Sequence, residues 1–466
     1  MAYFIGIDIG ASFIKAGLLD LNSRIVSNLV KYPSPTSLRN NIYPGRFEVN
    51  CNEYEKLIKK IITMLVKESA IEGIVFSTQM HGMVLVNNKL NPVTPFIGWQ
   101  DERLLEFRKG KKTWMDLLKN RLTGVNTKST GIIFRPGLMG ATLFWLRENK
   151  ILRENMKALF LGDYIAAKLT NGKIAANPTN ACGSGLFDVK RNIWDKKIIE
   201  KLKIYENNLP EVVHAGYVVG HIKMHKQNIP VYTSIGDLQA ACLGSLLQAN
   251  KRKEALINIG TGSQVSYVSS KFNLGNYDIR SYFDNEFLYT ITHIPAGRAL
   301  SVVIKFIEDI ERKFFKTKTN KNVWEQLKKL LIMKSNSEGI RGNMYFFKNN
   351  ISKDTSVSIT DITEKNFTIE NIFFALLENM AQNYWTACQR LRINKYDRIV
   401  FSGGLIRKMP VLQRFIEKFF NKKISLVQYT EETLAGLFIF SLVCRGDFSK
   451  VNDAIKFVRK NPIRFA

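Results

Sequence analysis

The sequence predicts an α/β protein of two lobes with a cleft between them. The chain has 466 residues, which is too long for one ordinary core and indicates two lobes of about 200 residues or more. Strand and helix patterns alternate along it, as they do in α/β lobes. An apolar strand, a small-residue turn and a second strand occur at residues 3–15 and recur at residues 256–265. We therefore expect one such hairpin in each lobe, both facing the same ligand.

The first lobe is predicted to span residues 1–244. It begins with the strand pair 4–9 and 13–19, where short β-branched and aromatic runs flank a small-residue turn. Apolar residues at helical spacing then predict a helix over 54–65. The following segments are a buried strand at 73–77, a mainly helical stretch at 114–169, a turn-rich segment at 175–194, a strand at 231–235 and a helix at 238–248.

The second lobe is predicted to span residues 245–466 and to begin with the second hairpin. Its Lys-rich middle, residues 308–350, is weakly patterned and is expected to be peripheral. A clear apolar stripe predicts a helix over 372–391, followed by a strand over 398–401. Gly403 and Gly404 come directly after that strand, where glycine lets the backbone approach a ligand closely.

Composition favours a cytoplasmic protein. The hydrophobic fraction of 45% fits a globular chain with a large core. No apolar run reaches the roughly 18 residues that cross a membrane, and the first residues read as a strand rather than a secretory signal. The five cysteines are scattered, which fits a reducing compartment. His221 and His225 are four apart, but nearby Gly220 and Pro230 argue against a helical metal site.

The net charge of +28 admits a nucleic-acid partner. Lys and Arg are, however, spread over the whole chain alongside abundant Asn and Ile, which indicates a general compositional bias. We therefore expect neither a nucleic-acid nor a membrane partner. The positive charge would attract an anionic nucleotide as well. The sequence does not decide between a monomer and a homodimer.

The two hairpins contain the residues most suited to binding phosphate, because such turns present backbone N–H groups and hydroxyls in a concave surface. Asp8 ends a buried strand, where a carboxylate is costly unless it is paired; it either contacts Mg²⁺ or caps the turn. Ser12 and Lys15 follow in the same hairpin. No Walker motif is present, so Lys15 would reach phosphate as a mobile point charge. The second turn comprises Gly260, Thr261 and Gly262. It is either an ordinary hairpin turn or a second phosphate-binding turn that matches the first.

Asp237 lies between a predicted strand and a predicted helix. It is either a helix N-cap or a general base, and the two roles are compatible. A helix N-terminus favours the ionised carboxylate, so Asp237 would be able to accept a hydroxyl proton at neutral pH.

Two polar segments that follow short strands suit a sugar. Hydroxyl groups need polar side chains, and C–H groups need an aromatic face. The first segment contains Gln79, Met80 and His81, and the second contains Trp99, Gln100 and Asp101. Their spacing alone does not establish a sugar site.

Taken together, these segments resemble the FGGY carbohydrate kinases, members of the actin-like, ribonuclease-H-like ATPase superfamily. The resemblance runs from the Asp8 hairpin to residues 432–436 and includes residues 141–146, 236–240 and 258–264. Within the family, the segments are most similar to those of sedoheptulokinases. Xylulokinases share residues 79–82 but more often have Asn where this chain has Gln100.

The resemblance implies a fold, a reaction and a role for each residue. The fold is the two-lobed actin-like, ribonuclease-H-like ATPase fold, and the reaction is transfer of phosphate from ATP, with Mg²⁺, to a sugar. Asp237 is the catalytic base and also contacts the substrate, while Asp8 is the metal-associated acid. ATP is held by Ser12, Lys15, Gly260, Thr261, Gly262, Gly297, Ser301, Gly403, Gly404 and Lys408. The sugar is held by Gln79, Met80, His81, Trp99, Gln100 and Asp101.

Two positions depart from the family pattern. Ala11 stands where a threonine is frequent in the first phosphate turn, and Arg298 stands where a smaller or neutral residue is usual. The expected reaction is phosphorylation of a ketose at its terminal hydroxyl, with sedoheptulose as the leading substrate. The alternatives are a xylulokinase or other pentulokinase or polyol kinase, a non-catalytic regulator that binds sugar or nucleotide, and an actin-like or chaperone ATPase.

Overall fold

The computed structural model describes residues 2–38, 42–67, 69–108, 110–249, 253–315, 323–332, 334, 336–352, 354, 356–394 and 397–466. The strands are β1 (Ala2–Ile9), β2 (Phe13–Asp20), β3 (Ile25–Pro33), β4 (Glu48–Val49), β5 (Ala70–Thr78), β6 (Val84–Val86), β7 (Phe96–Ile97), β8 (Lys157–Leu159), β9 (Ala175–Ala176), β10 (Phe187–Asp188), β11 (Ile193–Trp194), β12 (Glu211–Val212), β13 (Val218–Met224), β14 (Gln227–Tyr232), β15 (Ile235–Gly236), β16 (Glu254–Ile259), β17 (Ser263–Ser269), β18 (Asp278–Ser281), β19 (Phe287–Ile294), β20 (Arg341–Gly342), β21 (Ile359–Thr360), β22 (Arg398–Ser402) and β23 (Arg464–Phe465). The helices are α1 (Cys51–Val66), α2 (Trp114–Arg121), α3 (Met139–Glu148), α4 (Leu161–Thr170), α5 (Pro178–Ala181), α6 (Lys196–Lys201), α7 (Asp237–Gly244), α8 (Gly297–Phe314), α9 (Val323–Ile332), α10 (Ile369–Arg390), α11 (Gly404–Lys408), α12 (Pro410–Phe420), α13 (Glu432–Arg445) and α14 (Val451–Lys460).

The chain divides into two compact units. The first comprises Met1–Gln248, Ser270–Leu288 and Glu431–Ala466, and the second comprises Ala249–Ser269 and Tyr289–Thr430. The sequence boundary between residues 244 and 245 stays a prediction. Among the described residues, each helix is too short or too polar to cross a lipid bilayer.

The first unit is built on a sheet with the order β13-β14-β5-β1-β2-β3-β23, and β15 also pairs with β5. β1 runs antiparallel to β2, which sets Asp8 opposite Lys15. It runs parallel to β5, which sets Asp8 beside Ser77. β15 also runs parallel to β5 and sets Ile235 beside Ser77. The carboxyl ends of these parallel strands therefore meet at one edge, where Asp8 and the start of α7 both lie.

Helix α7 is positioned by a close approach to α13. A Cβ at Gly244 would lie 1.8 Å from the carbonyl oxygen of Glu432, and a Cβ at Gly436 would lie 1.9 Å from that of Ala240. Only glycine therefore lets the two helix backbones come this close. This contact holds the C-terminal half of α7 against α13, while the pairing of Gly236 with Thr78 places the first residue of α7 at the end of β5.

The second unit repeats the arrangement of the first hairpin. Its sheet contains β19, β17, β16 and β22 in that order. β16 runs antiparallel to β17 and parallel to β22, as β1 does to β2 and β5. The predicted second hairpin is thus confirmed. The predicted stripe on α10 is also buried and includes Phe373, Leu377, Met380 and Tyr384.

Several element boundaries differ from the prediction. The helix after Gly236 ends at Gly244 instead of residue 248, because Leu246 adopts a left-handed φ of 61° that a helix cannot continue through. The strand expected at 231–235 is divided into β14 and β15. In the Lys-rich stretch 308–350, helix α8 continues to Phe314 and α9 follows. Residues 316–322, 333 and 335 of that stretch lie outside the described residues.

Candidate active site

Asp8 lies near the carboxyl end of β1, an interior strand of the first sheet, and is only 8% exposed. The hydroxyl of Ser77 donates a hydrogen bond of 2.8 Å to its Oδ1. Burial, followed by the charge of Asp237, raises the pKa of Asp8 to about 7, while the Ser77 hydrogen bond and Lys15 lower it. A carboxyl group held so near neutrality would ionise readily beside a cation.

The turn after Asp8 is tied to the start of β2 and to Ser34, the residue after β3. Gly10 N donates to Phe13 O at 3.1 Å, and Ser34 N donates to Ser12 O at 3.0 Å. The Ser34 hydroxyl donates to Gly10 O at 2.7 Å. Ser12 is exposed at the tip of this turn, which suits the predicted contact with phosphate.

Lys15, on β2, forms an ion pair with Glu431, the residue before α13. Its Nζ lies 2.5 Å from Glu431 Oε2, and both side chains are about one-third exposed. The ammonium group predicted to bind phosphate is therefore held by a carboxylate within the same unit.

Asp237 is the first residue of α7, and Gly236 occupies the N-cap position without a side-chain cap. The interpretation of Asp237 as the N-cap is therefore wrong by one residue. Leu238 N donates to Asp237 Oδ1 at 2.8 Å. Burial raises the pKa of Asp237 to about 6, against the lowering effects of the Leu238 amide and the Arg280 charge. The carboxylate is thus mainly ionised at pH 7 and can accept a proton.

A buried network supports the turn that precedes Asp237. The Ser234 hydroxyl donates to Asp163 Oδ1 at 2.6 Å, and Asn180 Nδ2 donates to Ser234 Oγ at 2.7 Å and to Ser234 O at 3.1 Å. Burial raises the pKa of Asp163 to about 8, although hydrogen bonds from Ser234 and Asn180 lower it. Sequence reasoning missed Asp163 because nothing local distinguishes it from an exposed acid in the first turn of a helix.

The segment after β5 is brought close to α7 and to the turn after α5. Gln79 and Met80 are buried, and a Cβ at Gly236 would lie 3.0 Å from Met80 Sδ. His81 adopts a φ of 79°, which is rare for a residue other than glycine. Its Nδ1 lies 2.8 Å from Gly183 O. The backbone conformation and this contact hold the imidazole in a fixed direction.

The segment 99–101 is anchored by the buried side chain of Asp101. Asp101 is 1% exposed, and its carboxylate accepts hydrogen bonds from Arg103 Nε at 2.7 Å and from Phe47 N at 2.8 Å. A Cβ at Gly137 would lie 2.0 Å from Trp99 O, so the 135–137 turn packs directly on this segment. Gln100 is exposed. The buried carboxylate of Asp101 thus anchors the end of this segment, and the Trp99 backbone packs against Gly137.

Three charged residues that sequence reasoning missed lie among these segments. Arg135 Nη2 lies 3.4 Å from His81 Nε2, and Arg135 Nη1 lies 3.9 Å from Asp278 Oδ2. Arg280 Nη2 lies 3.4 Å from the same Asp278 oxygen. Burial lowers the pKa of Arg135. Each is an isolated charge in an otherwise unremarkable stretch, and the sequence carries no motif that would have found them.

In the second unit, the predicted nucleotide residues gather around the end of β16. Gly260 N donates to Gly262 O at 3.1 Å, Gly297 N donates to Gly260 O at 3.1 Å, and Arg298 N donates to Thr261 O at 2.8 Å. A Cβ at Gly262 would meet nothing within 4 Å. The turn is therefore closed on one side by the start of α8 and open at Gly262.

Gly403 and Gly404 lie beside the same strand end. Gly403 has a φ of 98°, and a Cβ there would lie 2.4 Å from Ile259 O, whereas a Cβ at Gly404 would meet nothing within 4 Å. The Ser301 hydroxyl donates to Gly297 O at 2.8 Å, so Ser301 faces the first turn of α8. The guanidinium of Arg298 lies over the ring of Phe347, 3.8 Å from its centroid.

An apolar cavity of about 300 Å³ lies between helices of the second unit. Lys408 borders it, which places one predicted nucleotide residue at its edge. The other lining residues are Leu300, Trp324, Glu325, Leu327, Lys328, Lys329, Leu331, Ile332, Phe373, Leu377, Met409, Pro410 and Val411.

The residues around Asp8 fit a magnesium ion that is held mainly by a nucleotide. Within the described ranges, no group of three or more His, Cys, Asp or Glu side chains is arranged to hold a metal. Mg²⁺ commonly keeps several waters and uses one or two carboxylates together with substrate phosphates. A single buried carboxyl group with a raised pKa meets that need, because a nearby cation would favour its ionised form.

Comparison with known proteins agrees with this arrangement. The model of the FGGY family of carbohydrate kinases, N-terminal domain, matches residues 3–244. Xylulose kinase of Staphylococcus xylosus is 28% identical over 301 residues, which cover 61% of this chain and 59% of that protein. Xylulose kinase of Lactococcus lactis subsp. lactis is 24% identical over 470 residues, which cover 95% of this chain and 88% of that protein. The first match thus spans less than two thirds of its relative.

A solved structure shows the fold. The crystal structure of ligand-bound xylulose kinase from Lactobacillus acidophilus matches with a TM-score of 0.81 at 18% identity and covers 98% of this chain and 92% of that chain. The predicted two-domain actin-like α/β fold is thereby confirmed.

Proposed function

Because this chain belongs to the FGGY family of carbohydrate kinases, we propose that it transfers the γ-phosphoryl group of ATP to the terminal hydroxyl of a ketose sugar. One observation carries the proposal: Asp237 begins a helix at the sheet edge that also holds Asp8, and its raised pKa of about 6 still leaves it ionised at pH 7. Such a carboxylate is suited to accept a hydroxyl proton.

In the proposed reaction, Asp237 takes the proton of the terminal hydroxyl as that oxygen attacks the phosphorus in line. Phosphoryl transfer depends mainly on positioning and charge stabilisation. MgATP supplies the phosphoryl group: the bond from the γ-phosphorus to the bridging oxygen of the β-phosphate breaks, and ADP leaves. The metal ion bound with the nucleotide would neutralise the negative charge that develops on it. The chain contributes Asp8 near the metal, Ser12 and Lys15 near the phosphates, and Leu238 N, which orients Asp237.

We assign acceptor binding to the first unit. His81, Trp99 and Gln100 would contact the sugar, because their side chains are half-buried or exposed. Gln79, Met80 and Asp101 are buried and would act by holding those residues in place. An aromatic face beside polar groups matches the alternating C–H and O–H surfaces of a sugar.

We assign nucleotide binding to the second unit. Gly260, Thr261 and Gly262 would approach the phosphates through their backbone, as open glycine turns allow. The cavity bordered by Lys408 is mainly apolar and would accept the base, with Gly297, Ser301, Gly403 and Gly404 around the ribose and base. Arg298 is engaged with Phe347, so this departure from the family pattern does not by itself argue against nucleotide binding.

Two sugars are candidates for the acceptor. Residues 79–82, 99–101 and 236–240 favour sedoheptulose, giving sedoheptulose 7-phosphate. Two relatives are named xylulose kinases, which makes a pentulokinase the second candidate. One side chain can decide the length of the accepted sugar, and therefore the substrate must be measured.

A non-catalytic regulator is the alternative from another class, and Ala11 is its best support. Asp8, Asp237 and Thr261 are all retained, which favours catalysis. An actin-like or chaperone ATPase would need neither the acceptor segments nor a base at Asp237.

The test is a coupled assay of ADP release with MgATP and ketoses of five, six and seven carbons, with Asp237→Asn as the control. The proposal expects ketose-dependent ADP release that the Asn variant loses. A preference for a five-carbon ketose would select the pentulokinase. Ligand binding by calorimetry without ADP release from any ketose or polyol would instead support the regulator.

A further inference from the structure

Arg280, on β18, is a buried cation whose hydrogen-bonding capacity is poorly used. The residue is 3% exposed. Its Nη2 faces Asp278 Oδ2 at 3.4 Å, and its Nη1 faces the sulfur of Met80, a weak acceptor, at 3.4 Å. Its buried Nε has no hydrogen-bond acceptor among the residues that the structure describes. Leaving a charged donor buried and unpaired is costly, so such a group usually has a partner.

Arg103 shows how the same chain satisfies a structural arginine. It is 2% exposed, and its Nε and Nη2 donate to the two oxygens of Asp101 at 2.7 and 2.9 Å. Its Nη2 also donates to Glu48 Oε1 at 2.7 Å. Arg280 has one longer ionic contact and no such fork. The difference indicates that Arg280 is shaped for a partner that the protein chain does not supply.

The surroundings of Arg280 point to the acceptor site. Met80 Sδ, its Nη1 partner, would lie 3.0 Å from a Cβ at Gly236, directly before Asp237. Gln239 Nε2 donates to Ser281 O at 3.1 Å, which ties the next residue of β18 to α7. The guanidinium is close enough for its charge to stabilise the ionised form of Asp237.

We propose that Arg280 binds the acceptor sugar, with Nε donating a hydrogen bond to a substrate oxygen other than the hydroxyl that is phosphorylated. This assignment rests on the proposed kinase function and extends it. The substrate class is a polyhydroxylated chain long enough to reach both Asp237 and Arg280. Asp278 holds the guanidinium in place, and Arg135 balances the Asp278 charge.

The experiment compares wild type with Arg280→Met and Arg280→Lys in steady-state kinetics with MgATP and the best ketose. We expect Arg280→Met to raise the KM for the ketose about tenfold or more, as befits a lost hydrogen bond to a charged group. The KM for ATP should change less than about threefold, because Arg280 lies outside the proposed nucleotide residues. Arg280→Lys restores the charge without the Nε donor and should recover only part of the loss.

Arg341→Met is the matched control, because it removes an exposed arginine paired only at the surface with Asp361; its kinetics should equal those of wild type. An unchanged ketose KM in a folded Arg280→Met protein would overturn the assignment of Arg280 while leaving the kinase function intact. A wild-type protein without ketose-dependent ADP release would overturn both. If the Met variant does not fold, the Lys variant decides, since a wild-type ketose KM there contradicts a role for Nε.

Discussion

The ammonium group of Lys15 forms an ion pair of 2.5 Å with the carboxylate of Glu431, although the two residues are 416 positions apart. Lys15 also lowers the pKa of Asp8, and Glu431 raises it. The pair thus joins the first hairpin to the N-terminus of α13 beside the proposed metal-associated acid.

Lys15→Met should raise the KM for ATP about tenfold or more, because a lysine acts as a point charge for phosphate. The KM for the ketose should stay within about threefold of wild type. Initial-rate kinetics with each substrate varied in turn would measure both values. An unchanged KM for ATP would remove Lys15 from the phosphate site.

Glu431→Gln separates the ion pair from phosphate binding. Both partners are about one-third exposed, and such pairs contribute about 1 kcal/mol or less to the free energy of unfolding. Urea denaturation should therefore show a small loss of stability, with the KM for ATP no higher than in wild type. A KM for ATP as high as that of Lys15→Met would mean that Glu431, rather than Lys15, is the important group.

Asp237→Asn should fold normally and lose roughly 10²–10⁴-fold in turnover, as expected when a general base is removed. Its circular dichroism spectrum should match that of wild type, and its urea midpoint at pH 7 should be no lower, because Asn carries no buried charge while burial raises the pKa of Asp237 to about 6. Turnover near the wild-type value would exclude Asp237 as the base.

The activity of wild type should fall on the acid side of about pH 6. Burial raises the pKa of Asp237 from its ordinary value of 3.8 to about 6, and only the ionised form can accept a proton. The value of kcat/KM should therefore drop about tenfold per pH unit well below that pKa. A profile that stays flat down to pH 4 would contradict this assignment.

Asp163 should make the free energy of unfolding fall as the pH rises, whereas a paired surface carboxylate makes it rise. Its pKa is raised from 3.8 to about 8 in the folded chain, so the folded state keeps the proton that the unfolded state releases. The stabilising contribution is complete below pH 3.8 and is lost as the pH rises toward 8. Between these two pKa values, the free energy of unfolding falls by about 1.4 kcal/mol per pH unit.

Asp163→Asn mimics the protonated side chain and removes this dependence. Urea denaturation at pH 5, 6, 7 and 8 should show wild type losing stability relative to the Asn variant with each step. If the difference between the two proteins is constant over that range, Asp163 titrates normally and the buried network near Ser234 does not shift it.

Gly403→Ala should destabilise the second unit by about 1–3 kcal/mol, because Ala must adopt a strained left-handed conformation and its Cβ would lie 2.4 Å from Ile259 O. Gly404→Ala is the matched control. Its Cβ would meet nothing within 4 Å, and it lies at the start of a helix, where Ala is tolerated. Thermal unfolding should separate the two variants. Equal midpoints would mean that the backbone at Gly403 can relax.

Local patterns were sufficient for much of the architecture. Apolar runs on either side of a small-residue turn located β1, β2, β16 and β17. Helical spacing of apolar residues located α1 and α10. The end of α7 was misjudged because the left-handed turn at Leu246 leaves no local signal. The start of α7 was predicted one residue too late, after Asp237 instead of at Asp237, because an N-cap residue and a first helical residue share the same sequence context.

The candidate site shows the same division. Asp8, Asp237 and the glycines could be proposed from the sequence because a carboxylate at the end of a buried strand is costly unless it is paired, and because glycines directly after a strand let the backbone approach a ligand. Arg135, Asp278 and Arg280 were missed because their contacts with the candidate site come from segments more than 50 positions away in the sequence. Asp163 is a further case, since its partner Ser234 lies 71 residues downstream.

The order of residues alone therefore determined the repeated hairpins, the strand that leads into Asp237 and the glycine turns, because these depend on interactions between near neighbours. The tertiary structure decided which charges surround Asp237, how far its pKa is raised, and which arginine is left with an unused donor. Those properties depend on burial and on distances between remote segments, and neither quantity is written in a local pattern.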